Sequence, residues 1–398
     1  MKDDMKRLRH KYWARIKMFL FLCLCVPLLP GCWDSQELEH MFYIHALGID
    51  YQDGKYIIYA QILDPTALSK ESQKSEEGLG AWVGVGVGQS YEDAIHDLYA
   101  TSQRRIRWGH LNAIVFSEPL LAQKGVQESL DMVTRYEEIR YIPWVYCTDS
   151  SIPKVLSSAP ILESSPVFSF LSDPYAVYRQ SSFIEPVRLH RFITNLQEPG
   201  RPGIPPEISV KENRWFDAKA TYPEIEISGY GLLRNGKLVG RLSRDEAIGE
   251  RWFSPHISRI PLILNQRGDS IATMTIIKRK CRVRPVIIGG HLRFDAQIQV
   301  GGSIVQRGRP LSQAQLESMI SKKIEKEIRK TYENGLRYGV DIYTLADSLY
   351  RRDPQTFHRY ATKDGHLQLS EDSLEHVEVK VKIYDMGKAT ESANRFTS

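Results

Sequence analysis

The 398-residue chain is 42% hydrophobic and carries a formal net charge of +5 at pH 7. Seven of its 53 basic but only two of its 48 acidic side chains fall in residues 1–17 (Lys2, Lys6, Arg7, Arg9, Lys11, Arg15 and Lys17 against Asp3 and Asp4), so the remaining 46 of each sign cancel. A basic surplus confined to a short leader removes the electrostatic ground for nucleic-acid binding, and the remainder is long and apolar enough to build two or three cored domains.

The basic head runs into MFLFLCLCVPLL, Met18 to Leu29, about 12 apolar residues where a bilayer-spanning helix needs roughly 20. Basic start, short apolar run and small residue at its end is the layout of a secretory signal covering residues 1–31. No later segment approaches the length of an apolar span, so the mature chain is not expected to cross a membrane by itself. Cys23 and Cys25 lie in the signal, leaving Cys32, Cys147 and Cys281. Cys147 and Cys281 are expected as unpaired, buried small hydrophobes.

Phe42 to Ile62 alternates with strand spacing on either side of Asp53-Gly54, a hairpin turn signal. WVGVGVG reads as a strand, and Ser90 with Asp93 three residues on caps a helix, with Ala94, Leu98 and Ile106 continuing an apolar side. LNAIVFSEP is a buried strand stopped by Pro119; Val126, Leu130 and Val133 mark an amphipathic helix; IPWVYC is the next strand. This alternation predicts an α/β layer. Residues 150–222 are rich in Ser, Pro and Gly around helical material, and the domain boundary is expected in NLQEPGRPGIPPEI.

Beyond it, Asn235-Gly236 turns a hairpin. HLRFDAQIQV alternates Leu292, Phe294, Ala296, Ile298 and Val300 against polar residues, and HVEVKVKIY does the same with Val377, Val379, Val381 and Ile383. One dry and one wet face predicts an antiparallel sheet. Its cover is a long helix opened by a Ser312/Gln315 capping box, with Leu316, Met319, Ile320, Ile324 and Ile328 on one stripe and Gly335 just past its end. The fold class is therefore mixed α/β and α+β, multidomain: an N-terminal α/β region and a C-terminal antiparallel sheet covered by a long helix. The divisions are a signal at 1–31, an N-terminal domain at 32–205 (divisible into 32–149 and 150–205), a C-terminal domain at 222–390 and a tail at 391–398.

Residue types that would carry chemistry do not assemble into a pattern. GVGVGQS departs from a dinucleotide fingerprint in its third glycine and lacks the following acid, so it reads as a close-packed strand. There is no His-Glu-x-x-His, no mature Cys-x-x-Cys and no Gly-x-Ser-x-Gly elbow. His110 reads as a structural histidine before a strand. No catalytic residue, cofactor or metal site is assigned. Asp341 reads as the N-cap of a helix holding Ile342, Leu345 and Leu349, with Arg351 and Arg352 at its C-terminal end. One candidate contact surface remains: Lys278, Lys280, Arg282 and Arg284 in KRKCRVR, which share one face of a strand and suit anionic lipid headgroups or an acidic partner, against the plainer reading of a solvated sheet face.

Leu29, Pro30, Gly31 and Cys32 resemble a bacterial lipobox, which implies an acylated Cys32 and cleavage after Gly31. GCWDSQELEHMFYIHALGIDY, then the Arg-Arg, Gly-His and Arg-x-x-Glu of residues 104–138, then YGVDIYTLADSLYRRDPQTFHRY resemble the Ger(x)C family of spore germination lipoproteins, from Cys32 to about Gly387. That resemblance implies a non-enzymatic lipoprotein subunit of a nutrient germinant receptor, held by Cys32 at the outer face of the spore's inner membrane. Its implied partners are two membrane-embedded receptor subunits and membrane lipid. The alternative is a solute-binding lipoprotein of an importer, which would pair two α/β lobes around a cleft. A lipid-anchored cell-wall enzyme would need a carboxylate or metal site that the sequence does not offer.

Overall fold

Two-residue turns set the registers at both ends of the first sheet. Asp53 and Gly54 both adopt positive φ, 50° and 80°, and so do Asn235 and Gly236, 51° and 77°. This is the pattern of a turn whose twist matches its strands. The first turn joins β1 (Met41–Gln52) to β2 (Lys55–Leu63), and the second joins β9 (Thr221–Arg234) to β10 (Lys237–Ser243). The computed structural model describes residues 12–13, 15–21, 41–63, 81–158, 169–216, 218, 221–266 and 269–386. Cys32 and its flanks lie outside the described residues. The chain divides into units Met1–Met41 and Phe42–Ser398. In the first, residues 15–21 are helical and exposed. Among the described residues no helix is long and apolar enough to cross a membrane.

In the second unit, β3 (Ala81–Gly88), α1 (Tyr91–Ala100), β4 (Arg105–Arg107), β5 (Ala113–Ser117), α2 (Glu118–Gln123), α3 (Gln127–Arg135) and β6 (Trp144–Thr148) follow in order. Then come α4 (Ile152–Ser157), α5 (Pro174–Gln180), β7 (Val187–Arg188), α6 (Leu189–Gln197) and β8 (Pro206–Phe216). The sheet runs β10-β9-β8-β6-β5-β1-β2-β3, with β4 on β1 and β7 on β6. Its centre is parallel, β1 with β5, β5 with β6 and β6 with β8, and its flanks are antiparallel hairpins. β5 and β6 are buried on both faces, which is why AIVFS and WVYCT read as unbroken apolar runs. Ala94, Leu98, Leu121, Val133 and Phe192 pack one face, and Ile152, Val155, Leu156, Tyr146 and Ile208 the other. Ser90 caps α1 through Asp93 N, and Ile106 packs into the same core from β4. The glycines of β3 serve packing: a Cβ on Gly86 would stand 2.0 Å from the carbonyl oxygen of Ala94. The Asn235-Gly236 hairpin, expected with the C-terminal sheet, is hydrogen-bonded into this first sheet, and its Leu232 and Leu242 lie in the C-terminal core.

The second sheet runs β11 (Ile260–Gln266), β12 (Asp269–Ile288), β13 (His291–Arg307) and β14 (Leu374–Asp385). β11 to β13 are antiparallel as expected, while β14 runs parallel to β13. The intervening helices, α7 (Gln313–Leu336), α8 (Leu345–Arg352) and α9 (Pro354–Tyr360), return the chain to the same end of the sheet before β14 starts. α7 is the long cover. The Ser312/Gln315 capping box forms, and Leu316, Ile320, Ile324 and Ile328 are fully buried on Phe294, Ile298 and Ile304. Gly335 lies inside the helix rather than past its end, because Val340 and Ile342 fold back against it; the left-handed residue that follows is Gly339. α7 also covers the open edge of β14: Ile383 N–H donates to Glu317, and Ser321 Oγ and Gln313 Nε2 donate to the Val379 and Ile383 carbonyls, so those edge groups are not left free to pair with another strand. Asp341 caps α8 from outside the N-cap position, which Thr344 occupies; its Oδ2 accepts from Ala346 N–H at 2.8 Å. Arg351 and Arg352 do close that helix.

A buried ion pair hangs α7 from the linker between the sheets. Glu327 Oε2 accepts from Arg251 Nη2 at 3.0 Å and from Trp252 Nε1 at 2.9 Å, with Arg251 4% and Glu327 6% exposed. Next to it Thr331 accepts from Gly249 N–H and donates to the Glu246 carbonyl. A second polar group at the same joint is Glu250, whose carboxyl is buried against the Tyr230 hydroxyl at 2.8 Å. Burial lifts it from 4.5 to about 7, with Glu185 nearby raising it further while the Tyr230 hydrogen bond and Arg279 oppose the shift.

Two outcomes follow. Glu327→Ala strands a buried guanidinium and is expected to lose about 3–5 kcal/mol, whereas the paired replacement Arg251→Met with Glu327→Leu loses much less; denaturant midpoints at unchanged slope are the measurement. Glu250 is protonated in the folded state at pH values where the unfolded chain ionises it. Its contribution to stability is therefore full below about 4.5 and lost as pH rises to about 7. Glu250→Gln should flatten the fall in thermal midpoint across that window.

Candidate functional site

The outward face of the second sheet gathers the cations that the sequence places on one strand. The phase of β12 explains how. Its inward residues are Ala272, Met274 and Ile276, and then the register with β13 slips between Ile276 and Lys278. The extra residue is Ile277, half exposed. A bulge of one residue exchanges the two faces of everything after it. Past it Arg279, Cys281 and Val283 turn inward, and Lys278, Lys280, Arg282 and Arg284 are all exposed.

Across the sheet these four face Gly301, Gln299, Gln297 and Asp295 of β13, and beyond those Lys382, Lys380, Glu378 and His376 of β14. The face thus carries six Lys and Arg side chains around a mostly neutral central strand. Glu378 pairs with Lys380 at 2.8 Å. Lys278 lies over the Tyr384 ring at 5.6 Å from its centre, and Gly301 makes room for that ring, since a Cβ there would meet the phenol oxygen at 2.2 Å. Among the described residues no carboxylate lies within ion-pair distance of Lys280, Arg282 or Arg284. At the far end of the β12–β13 hairpin, beyond Arg284, Ile287 and Ile288 are 52% and 47% exposed beside the Gly289-Gly290 turn.

Lys380 and Lys382 were legible as outward residues of their own strand, but only the pairing of β14 with β13 brings them, and Tyr384, to this face. Arg279 goes the other way, facing Glu250, Tyr178 and Glu185 with its charge disfavoured by burial.

Other polar constellations link elements of the fold to one another. Arg241 lies among Asp149, Glu207 and Glu118 at 2.6, 2.8 and 3.1 Å. Burial raises Glu207 to about 6, with Asp149 and Glu118 adding to the shift and Arg241 opposing it. His45 bridges Ser172 Oγ, 2.6 Å from Nε2, and Gln61 Oε1, 2.7 Å from Nδ1, and burial lowers its pKa. Gln61 passes the network on to the Leu156 carbonyl, so this Ser-His pair ties β1, β2 and α4 together inside the core. His110 stacks on Tyr43. Cys147 and Cys281 are free thiols, Cys147 buried and Cys281 partly so, and burial pushes Cys281 up to about 11. Among the described residues, one cleft of about 650 Å³ lies beside Tyr91, Glu128 and Tyr136, and one of about 300 Å³ beside His291, Tyr360 and Asp372. Among the described residues no group of three or more His, Cys, Asp or Glu is placed to hold a metal ion.

Comparison with known proteins covers nearly the whole of this architecture. The model for the spore germination protein N-terminal domain matches residues 34–209, and that for the spore germination B3/GerAC-like C-terminal domain matches residues 228–387. Spore germination protein KC of Bacillus subtilis (strain 168) is 24% identical over 363 residues, spanning 85% of this chain and 88% of that protein. Spore germination protein B3 of the same organism is 25% identical over 359 residues, spanning 86% and 90%. The crystal structure of the GerBC protein superposes with a TM-score of 0.55 at 19% identity, covering 85% of this chain and 96% of that one, and so shares its fold. With both domain models matched in order, the chain belongs to the Ger(x)C family of spore germination proteins.

Proposed function

We propose that this protein is a non-enzymatic lipoprotein subunit of a spore nutrient germinant receptor. It is tethered by an acylated Cys32 to the outer face of the spore's inner membrane, where it works beside two membrane-embedded subunits. The observation that carries the reading is the order of its parts: a Leu-Pro-Gly-Cys segment that resembles a lipobox stands directly before two domains that match spore germination models over residues 34–209 and 228–387. A tether suits a subunit of this kind. Each buried CH₂ of an acyl chain contributes about 0.8 kcal/mol, and two chains on one residue anchor stably. Confinement near the membrane raises the effective concentration at partners there to the millimolar range, so that weak surface contacts suffice. A receptor subunit of this kind has no need of a reaction centre, and the polar clusters described above are occupied in holding elements together.

The test is recovery of the protein, tagged at its C-terminus, from detergent-solubilised membranes of dormant spores, with mass spectrometry of the chain and its companions. The expected result is a mature chain starting at an acylated Cys32 and accompanied by two multi-spanning proteins, both reduced on Cys32→Ala. An ATPase-linked permease among the companions, or no integral partner, would overturn the assignment in favour of a solute-binding role.

A further inference from the structure

We propose that the outer face of the second sheet, together with the β12–β13 hairpin tip, is a docking surface for an anionic lipid bilayer. This deepens the receptor-subunit reading by naming what the face meets, and it rests on that reading only in placing the protein at a membrane. The first argument is charge. Outside its leader the chain is electrically balanced, so six cations on one sheet face are a local segregation rather than the share of a basic protein. Lys280, Arg282 and Arg284 are exposed and without carboxylate partners among the described residues. An anionic surface attracts such side chains at about 1 kcal/mol each, a roughly fivefold effect per residue.

The second argument is shape and polarity. β12 and β14 flank one intervening strand, so the two basic rows stand about 10 Å apart, a spacing suited to many headgroups and to no single small anion. The centre of the face is Gln297, Gln299 and Gly301, and the Tyr384 ring that lies over Gly301 is already engaged by Lys278, so among the described residues the face offers no buried apolar cluster of the kind that centres a protein interface. Ile287 and Ile288, by contrast, are exposed at the turn, about 10–13 Å along the strand from Arg284. Apolar tips beyond a basic collar match the boundary between acyl chains and headgroups. Asp295, opposite Arg284, and Glu378, on β14, dilute the charge of the face, which keeps the attraction weak and sensitive to salt.

The test reconstitutes the full-length chain, held by its own leader or acyl group, into vesicles of phosphatidylcholine with or without about a third phosphatidylglycerol, and follows amide exchange over residues 280–292. Exchange at the tip should slow by about fivefold or more on the anionic vesicles alone, and revert at roughly 1 M salt. The quadruple variant K278Q/K280Q/R282Q/R284Q, with an unchanged thermal midpoint, should lose the protection, and Ile287→Ser with Ile288→Ser should weaken it. Equal exchange on both vesicle types, or protection that survives the quadruple variant, overturns the proposal. Protection that appears only when membrane-embedded partner subunits are added overturns it in favour of an acidic protein partner. An unacylated Cys32 would undo the receptor reading but leave this readout standing, because the proposal is read from the difference between anionic and neutral vesicles carrying the same chain.

Discussion

Glu327 accepts from Arg251 and Trp252 in a place where neither charge reaches water, and the arrangement of the C-terminal half depends on it. Burying two charges is unfavourable unless geometry and further hydrogen bonds compensate. Here Arg251 also lies over the Trp252 and Phe183 rings, and Lys323 approaches the second oxygen of Glu327. An apolar contact could have held α7 to the linker as firmly, but it would have tolerated a slide along the helix. A carboxylate that must meet one guanidinium and one indole N–H tolerates none, and Thr331, one turn further on, locks to Gly249 and Glu246. The pair therefore sets the register of a 24-residue helix against the linker between the two sheets.

That register decides which face of the second sheet stays open. With α7 laid over Phe294, Ile298 and Ile304, and with its side chains satisfying the edge of β14, the opposite face is left to polar residues. The bulge at Ile277 then puts four cations there instead of in the core. Had β12 kept its early phase, Lys278, Lys280, Arg282 and Arg284 would lie under α7, where unpaired charges are not sustainable. A single inserted residue and a single helix register together account for the basic face.

Features written locally were legible in the sequence. Asp53-Gly54, Asn235-Gly236, the Ser90 cap and the Ser312/Gln315 box depend on residues within four positions of one another, and each formed as expected. The alternation in HLRFDAQIQV and HVEVKVKIY identified the dry faces for the same reason. Features that depend on distant partners were not legible. The direction of β14, the attachment of the Asn235 hairpin to the first sheet and the place of Gly335 inside α7 are settled by which element arrives alongside. So too with the site: KRKCRVR announced four of the six cations, while Lys380 and Lys382 joined them only through a parallel pairing. Asp341 shows the intermediate case, a capping residue recognised correctly in kind but set one turn further out, because Thr344 takes the left-handed position at the helix start.

The openness of the basic face fits the confinement at a membrane proposed above. A free protein relying on six exposed cations, two of them engaged by Glu378 and the Tyr384 ring, would hold a surface weakly and lose it at modest salt. If an acyl chain at Cys32 supplies the attachment, the face need only choose an orientation, since the second contact is then intramolecular and draws on a local concentration in the millimolar range. Under that division of labour a stronger patch would be a disadvantage. It would fix the protein on lipid and withdraw it from neighbouring subunits, whereas a diluted, salt-sensitive face lets the same surface release when a partner competes for the orientation. The interspersed Asp295 and Glu378, which look like a defect in a binding patch, are what such reversibility requires.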